Sequence, residues 1–460
     1  MSAGSRVGTG NREADLILDG GFPVNSLNIL MGEPGTGKTL FAEQLLFSNA
    51  GDDRPVLYLT TLSEPLSKMV TYLQRFGFYD ENKLGTSVIY DDLGASLTHD
   101  GLSVLLARLR QAIETIGPKI IVIDSFKAIH DLSSSTVEMR RLVSDLAGLL
   151  GAYATTTFLV GEYQAQDVAR YPEFAVADGI LEFARQKRST TDERFLRVIK
   201  LRGSGYMEGL HGLHITSQGL EVYPRLVSPD APTEYRLKPE RIKTGIGGLD
   251  SMLEGGVWRG STTLLMGPTG SGKTMMALQF ALTGAAAGEP GLYVNFQENP
   301  TQLLRIIKGL DPAGLGEPQL HLLYTSAVEL QIDKIIVDIF RRIEAHRIRR
   351  VVIDAVGDLA MAAGDTQRIH DYLYALIQRF ATLGITTFLI VEDLFHGPSG
   401  APFPAGEFTR LSYMCDNLIL LEILRDQRIR RSISIHKTRA SGHADEVRSL
   451  ILSERGARVE

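Results

Sequence analysis

Two stretches of this chain repeat one arrangement of glycines, a lysine and a hydroxyl residue: Gly32-Glu33-Pro34-Gly35-Thr36-Gly37-Lys38-Thr39 and Gly267-Pro268-Thr269-Gly270-Ser271-Gly272-Lys273-Thr274. Each fits the P-loop, in which backbone amides cradle phosphates, the lysine neutralises them and the last hydroxyl reaches a magnesium ion. The expected phosphate contacts are Gly32, Gly35, Thr36, Gly37, Lys38 and Thr39 in one loop, and Gly267, Gly270, Ser271, Gly272, Lys273 and Thr274 in the other. Asp124 and Asp354 each close a short apolar run, Ile120-Ile121-Val122-Ile123 and Val351-Val352-Ile353. A carboxylate at that end of a parallel strand lies where ligands bind an open α/β sheet. Thr39 with Asp124, and Thr274 with Asp354, are therefore the expected magnesium sets, and the chain is expected to bind two molecules of ATP with Mg2+. An aspartate after a strand can also be a plain helix cap. Its pairing with a P-loop in both halves is what gives it weight.

The segments around the loops have the context this chemistry needs. Ser26-Leu27-Asn28-Ile29-Leu30-Met31 reads as a strand entering the first loop, and Thr39 to Phe47 as a helix leaving it. Thr262 to Met266 and Met275 to Phe280 do the same for the second. Free amides at a helix N-terminus favour anions. Val56 to Leu59 and Gly291 to Val294 are further apolar runs of the kind that become buried parallel strands. Each half then ends in a paired set of strand-like segments, Gly179 to Phe183 with Phe195 to Lys200, and Asn417 to Glu422 with Arg431 to Lys437. Both pairs read as antiparallel additions to the sheet.

The repeat is longer than the loops. Thr9-Gly10, Asp15, Leu18, Gly20-Gly21, Lys38 and Pro65 recur as Thr244-Gly245, Asp250, Leu253, Gly255-Gly256, Lys273 and Pro300, at a constant offset of 235 residues. Thr156-Thr157-Phe158-Leu159 recurs as Thr386-Thr387-Phe388-Leu389 after a small deletion. This is a tandem duplication of a whole domain. The expected organisation is a first domain over 1–225, a linker over 226–240, where Pro229, Pro232 and Pro239 punctuate a polar stretch, and a second domain over 241–460. The fold class that follows is α/β, with two tandem P-loop domains, each a mainly parallel sheet flanked by helices with an antiparallel C-terminal extension.

Composition sets bounds. The net charge of -6 gives no support to a general nucleic-acid binder, so DNA is not an expected partner. The single cysteine, Cys415, excludes a disulfide scaffold within the chain and a thiolate metal cluster. Residues 1–11 hold no apolar segment of the signal-peptide kind, and no run reaches membrane-span length. The expected location is the cytoplasm, with no membrane partner.

Taken together, Thr244-Gly245-Ile246-Gly247-Gly248-Leu249-Asp250 ahead of Gly255-Gly256, the two P-loops, Ile123-Asp124-Ser125 and Lys200-Leu201-Arg202-Gly203-Ser204 resemble the KaiC family of double-domain RecA-like ATPases, over nearly the whole chain. The resemblance implies a homo-oligomer, a hexameric ring with ATP between subunits. Lys200 and Arg202 match the basic pair that such proteins extend toward the neighbour's nucleotide, and Lys437 and Arg439 occupy the equivalent place in the second half. Arg439 is followed by Ala440 where the first half has Gly203. The resemblance also implies a serine autokinase activity in the second domain, with Ser412 as the phosphoacceptor beside Tyr413, and protein partners in circadian timing or signalling. The family's regulatory C-terminal tail is not expected, since the sequence ends at Glu460 soon after Ser453-Glu454-Arg455-Gly456.

The catalytic carboxylates depart from the family. Where two adjacent glutamates are expected, the second half has Gln297-Glu298 and the first Leu62-Ser63, with Glu64 one residue late. Glu298 is the expected base, Gln297 a residue that could orient water, and Glu64 the fallback in the first half; Lys38 and Lys273 complete the catalytic candidates. Glu162 and Glu392 are matched carboxylates after another strand that could equally be polar strand ends. Two other functions stay open on these residues: a DNA-associated RecA-like ATPase, and a nucleotide-gated scaffold with little catalysis.

Overall fold

In the computed structural model the chain is described at all positions except 1–4, 62–65, 134, 189–190, 230–239, 315, 393–410 and 426–427. Leu27–Gly32 and Val56–Thr60 are buried at every position, as are Thr262–Gly267 and Gly291–Asn295. A strand apolar on both faces needs cover on both. The alternation of side chains supplies it. Leu30, Tyr58, Val122 and Phe158 point into one cluster with the helix Lys38–Asn49, through Phe41, Leu45 and Leu46. Ile29, Leu57, Ile121 and Leu159 point into the other, with Leu105 and Leu109 of Ser103–Ile116 and Leu142 and Leu146 of Thr136–Ala152.

The second half repeats the plan. Leu265, Tyr293, Val352 and Phe388 meet the helix Lys273–Ala286 on one face, and Phe280 stacks on Phe388 with ring centroids 4.1 Å apart. Leu264, Leu292, Val351 and Leu389 face the helices Ile332–His346 and Thr366–Thr382.

The chain divides into two compact units, Met1–Arg225 and Leu226–Glu460. Leu226, the first residue of the expected linker, is buried in the core of the second unit, and Arg379 Nε donates to the Val227 carbonyl at 3.0 Å. Most of the rest of that stretch lies outside the described residues.

Each unit holds a nine-stranded sheet. In the first, Leu27–Gly32 lies between Thr156–Gly161 and Gly179–Arg188, with Ile120–Asp124, Val56–Thr60 and Val88–Asp92 following outward on the Thr156 side. All of these neighbours run parallel. Gly179–Arg188 thus joins parallel, and the antiparallel run begins one strand later than the sequence suggests, at Thr191–Leu201, continuing through His211–Thr216 and Gly219–Tyr223. The second sheet has the same order, with Asn417–Arg425 parallel to Thr262–Gly267 and Ile429–Thr438, Arg448–Ser453 and Gly456–Val459 antiparallel. Among the described residues no helix is long and apolar enough to cross a membrane.

Candidate nucleotide sites

Each P-loop leaves the end of a central strand and turns into a helix. Gly32 permits the departure, because a Cβ there would lie 2.0 Å from the Phe183 carbonyl oxygen of the neighbouring strand. Gly37 and Gly272 then take left-handed backbone, φ 104° and 106°, as the N-caps of Lys38–Asn49 and Lys273–Ala286. That conformation is open to glycine at little cost. Neither N-cap is closed by a side-chain hydrogen bond, which leaves the first-turn amides open to an anion.

The lysines lie back across their own loops. Lys38 Nζ donates to Glu33 O at 2.8 Å, and Lys273 Nζ to Gly267 O at 2.7 Å and Pro268 O at 2.9 Å. Burial pushes the Lys38 ammonium below its ordinary range, and the nearby carboxylates of Glu162 and Asp124 oppose that shift.

The hydroxyl and carboxylate expected to share a magnesium ion meet in both units. Thr39 Oγ1 donates to Asp124 Oδ2 at 2.8 Å, and Thr274 Oγ1 to Asp354 Oδ2 at 2.9 Å. A phenol joins each pair: Tyr58 donates to Asp124 at 2.7 Å and Tyr293 to Asp354 at 2.5 Å. Burial raises both aspartates, with the hydroxyl bonds and the P-loop lysines pulling the other way. A hydroxyl–carboxylate pair beside a phosphate cradle has the hard oxygen ligands that Mg2+ takes alongside nucleotide phosphates. The peptide bond after each aspartate is cis.

A cavity of about 550 Å³ opens over the first site, lined by Gly35, Lys38, Thr39, Glu43, Tyr58, Asp124 and Glu162 among others. The structure thus brings Glu162 to the P-loop. Glu392 is at the second, accepting from Thr269 Oγ1 at 3.0 Å.

Where the family's paired glutamates are expected in the first half, Leu62, Ser63 and the adjacent Glu64 fall outside the described residues. In the second unit Asn295, buried at the end of its strand, organises the segment: its Oδ1 accepts from the Gln297 and Glu298 amides at 3.2 and 3.0 Å, and its Nδ2 donates to Glu298 O at 2.5 Å. Burial raises Glu298 above the usual carboxylate range and Asp354 adds to that, while Thr274 opposes it. Glu298 Oε2 is buried without a hydrogen-bond partner. Gln297 Nε2 instead contacts Asp358, 3.0 Å from each carboxylate oxygen.

The basic pairs lie at the other edge of the sheet. Leu201 pairs with Gly179, and Gly179 with Asn28, at the start of the strand whose far end is the P-loop. At about 3.3 Å per residue, that puts Lys200 and Arg202 roughly 15 Å from their own P-loop. Arg202 lies 3.6 Å from Asp178, and Arg439 3.7 Å from Asp416. Lys437 Nζ donates to the carbonyls of Ser412 and Cys415, at 2.6 and 2.7 Å, and Arg439 to that of Tyr413. Ser412, half-buried in a helical turn just before the strand Asn417–Arg425, belongs to this same edge.

Several site residues escaped the sequence reading. Arg194 Nε donates to Gly35 O at 3.2 Å and Arg431 Nε to Gly270 O at 2.9 Å, so an arginine from the antiparallel hairpin touches each P-loop. Tyr58 and Tyr293 stand at the repeat offset, and a phenol conserved between two copies of an apolar strand was the available signal. Glu43, fully buried, accepts from Tyr90 at 2.7 Å with Oε1 unpartnered, and burial pushes its carboxyl up to about 8. Leu278 stands at its place in the second half, so comparing the copies would have singled it out.

A KaiC ATPase family model matches residues 7–227 and again 242–460. The chain is 28% identical over 97% of its length to the circadian clock protein KaiC2 of Synechocystis sp., covering 80% of that protein. It is 27% identical over 97% of its length to the circadian clock oscillator protein KaiC of Synechococcus elongatus, covering 87% of it.

Proposed function

The chain belongs to the KaiC family of ATPases, and we propose that it binds Mg2+-ATP at both P-loops and hydrolyses it chiefly at the second. In this reading the first-turn amides and Lys38 or Lys273 hold the phosphates. Thr39 with Asp124, and Thr274 with Asp354, hold the metal, which would neutralise charge on the transferring phosphoryl group. The observation that carries it is the Thr–Asp pair beside a P-loop in both units.

The second site is the more competent one. Glu298 stays beside Thr274 and Asp354 with one oxygen uncommitted, and its raised proton affinity suits a group that must accept a proton from an attacking water or hydroxyl. Leu62-Ser63 offers no equivalent in the first half, which favours a structural, nucleotide-gated role there.

The basic pairs act on a neighbouring subunit's nucleotide. Their position at the sheet edge away from their own P-loop supports this, because about 15 Å is beyond the reach of a lysine or arginine side chain. The assembly is a homo-oligomeric ring, hexameric as in the resemblance, and located in the cytoplasm. Ser412 lies at the same edge, beside Lys437, where a neighbour's γ-phosphate would arrive. It is the phosphoacceptor of a serine autokinase activity, in service of circadian timing or signal transduction with protein partners. The test is Glu298→Gln. Phosphate release should fall at least a hundredfold while bound ATP is retained. Unchanged turnover would move the base elsewhere.

A further inference from the structure

The second site holds a side-chain pair that the first lacks. Gln297 stands where the first half has Leu62, at the repeat offset, and Asp358 follows Asp354 by the spacing at which Ala128 follows Asp124. An amide and a carboxylate in one copy thus answer to two apolar residues in the other. Gln297 is exposed, whereas Asp358 is 5% exposed, in the first turn of Val356–Ala363. The Gln297 amide nitrogen lies 3.0 Å from both oxygens of Asp358.

The chemistry of that contact fixes an orientation. A carboxylate only accepts, and a primary amide has one donating end and one accepting end. The nitrogen must therefore face Asp358, and the carbonyl oxygen becomes the outward end of the side chain. The Gln297 and Glu298 amides are tied to Asn295 Oδ1, so the backbone beneath is held as well. A buried carboxylate deprived of its donor would be costly. A glutamate at 297 would put a second acceptor against it.

We propose that Asp358 is a positioning residue of the second site: it holds the Gln297 carboxamide with its oxygen turned toward the attacking nucleophile, and it makes glutamine rather than glutamate the residue that fits there. The inference rests on the reading that the second site hydrolyses ATP. Asp358 touches no substrate and acts through Gln297, which orients water while Glu298 takes the proton.

The experiment is a double-mutant cycle in the otherwise unaltered full chain, with Lys273→Ala as the control for turnover that does not come from the second site. Gln297→Glu should lower phosphate release at least tenfold at pH 8, with ATP still bound. Its deficit should shrink as pH falls, because a proton shared by the two facing carboxyls restores a donor and an acceptor. Glu298, next to Gln297, and Asp354, which interacts with Asp358, are the other titratable groups there and are common to all variants. Asp358→Asn should lower release about threefold, since an asparagine can face either end of the amide. Gln297→Glu with Asp358→Asn exchanges amide and carboxylate, and should recover to within about threefold of the parent and lose the added pH dependence. Multiplicative single effects, or a Gln297→Glu variant as active as the parent across pH, would overturn the inference alone. A parent that binds ATP but releases no phosphate would overturn the hydrolysis reading and this inference with it. Asp358→Asn is nearly isosteric, so it keeps the cycle informative if the like-charged variant unfolds.

Discussion

Lys437 donates a hydrogen bond of 2.6 Å to the backbone carbonyl of Ser412. The ammonium also bonds the Cys415 carbonyl, and Arg439 that of Tyr413, so cations cap the end of the helical turn at 411–414, where they are favourable. The same group is proposed to meet a neighbour's phosphate, so the turn that carries Ser412 and the trans contact share one lysine. Burial and the adjacent Arg439 both lower its affinity for a proton. A phosphate oxyanion would relieve that shift.

If the pair acts in trans, subunits lacking Lys437 and Arg439 should complement subunits lacking Lys273. Each double or single alanine variant alone should release phosphate at a few per cent of the parent rate. An equal mixture should recover a clearly larger share, since some boundaries pair an intact P-loop with an intact basic edge. Assembled rings without any recovery on mixing would count against action across a boundary. The first-half pair, Lys200 and Arg202, should behave alike in assembly rather than turnover.

Glu43 should make the first unit less stable as pH rises. Its carboxyl is raised from 4.5 to about 8, chiefly by burial. A raised folded-state pKa means that the contribution is fully present below about pH 4.5 and lost as pH climbs through about 8. The loss is on the order of 3–5 kcal/mol at most. Asp124 shifts in the same direction, so some slope remains without Glu43. In nucleotide-free protein, the unfolding temperature of the first unit should fall between about pH 5 and 8, and Glu43→Gln should flatten most of that fall. Superimposable pH curves for the two proteins would show that Glu43 is ionised, or solvated, in the fold.

Ala440 holds φ 58° where Gly203 holds 71°. The turn after the basic pair is therefore kept in both units despite the change of residue. An alanine in left-handed backbone is strained by about 1–2 kcal/mol, and the freer unfolded state of a glycine offsets about 0.4–1 kcal/mol of what its removal would gain. Ala440→Gly should stabilise the second unit by about 0.5–1 kcal/mol, read as a rise in its unfolding temperature of about 1–3 °C. Gly203→Ala should do the reverse in the first. A destabilised Ala440→Gly variant would mean that the alanine methyl makes a contact worth more than the strain.

The loops and their aspartates were legible because the chemistry is local: a run of glycines, a lysine and a hydroxyl at fixed spacing, then an apolar strand ending in Asp124 or Asp354. The central parallel strands were legible for a similar reason, since burial on both faces leaves unbroken apolar runs. The residues that sheet order brings in were harder. Arg194 reaches Gly35 from 159 residues away, and Asp358 reaches Gln297 across neighbouring strand ends, so neither leaves a mark at the loop itself. Where Gly179–Arg188 pairs was also hidden, because a strand's sequence does not say which way its neighbour runs. The duplication held a partial answer. Positions where the copies agree against their surroundings mark Tyr58 with Tyr293, and positions where they disagree in polarity mark Glu43 against Leu278 and Gln297 against Leu62.

The central claim is that both P-loops hold nucleotide, and the count of bound nucleotides per chain tests it most directly. Protein purified with Mg2+ and ATP, then denatured and its nucleotide quantified, should carry two per chain. Lys38→Ala and Lys273→Ala should each carry one, and the double variant close to none. Two bound nucleotides in both single variants, or one in the parent, would contradict the assignment.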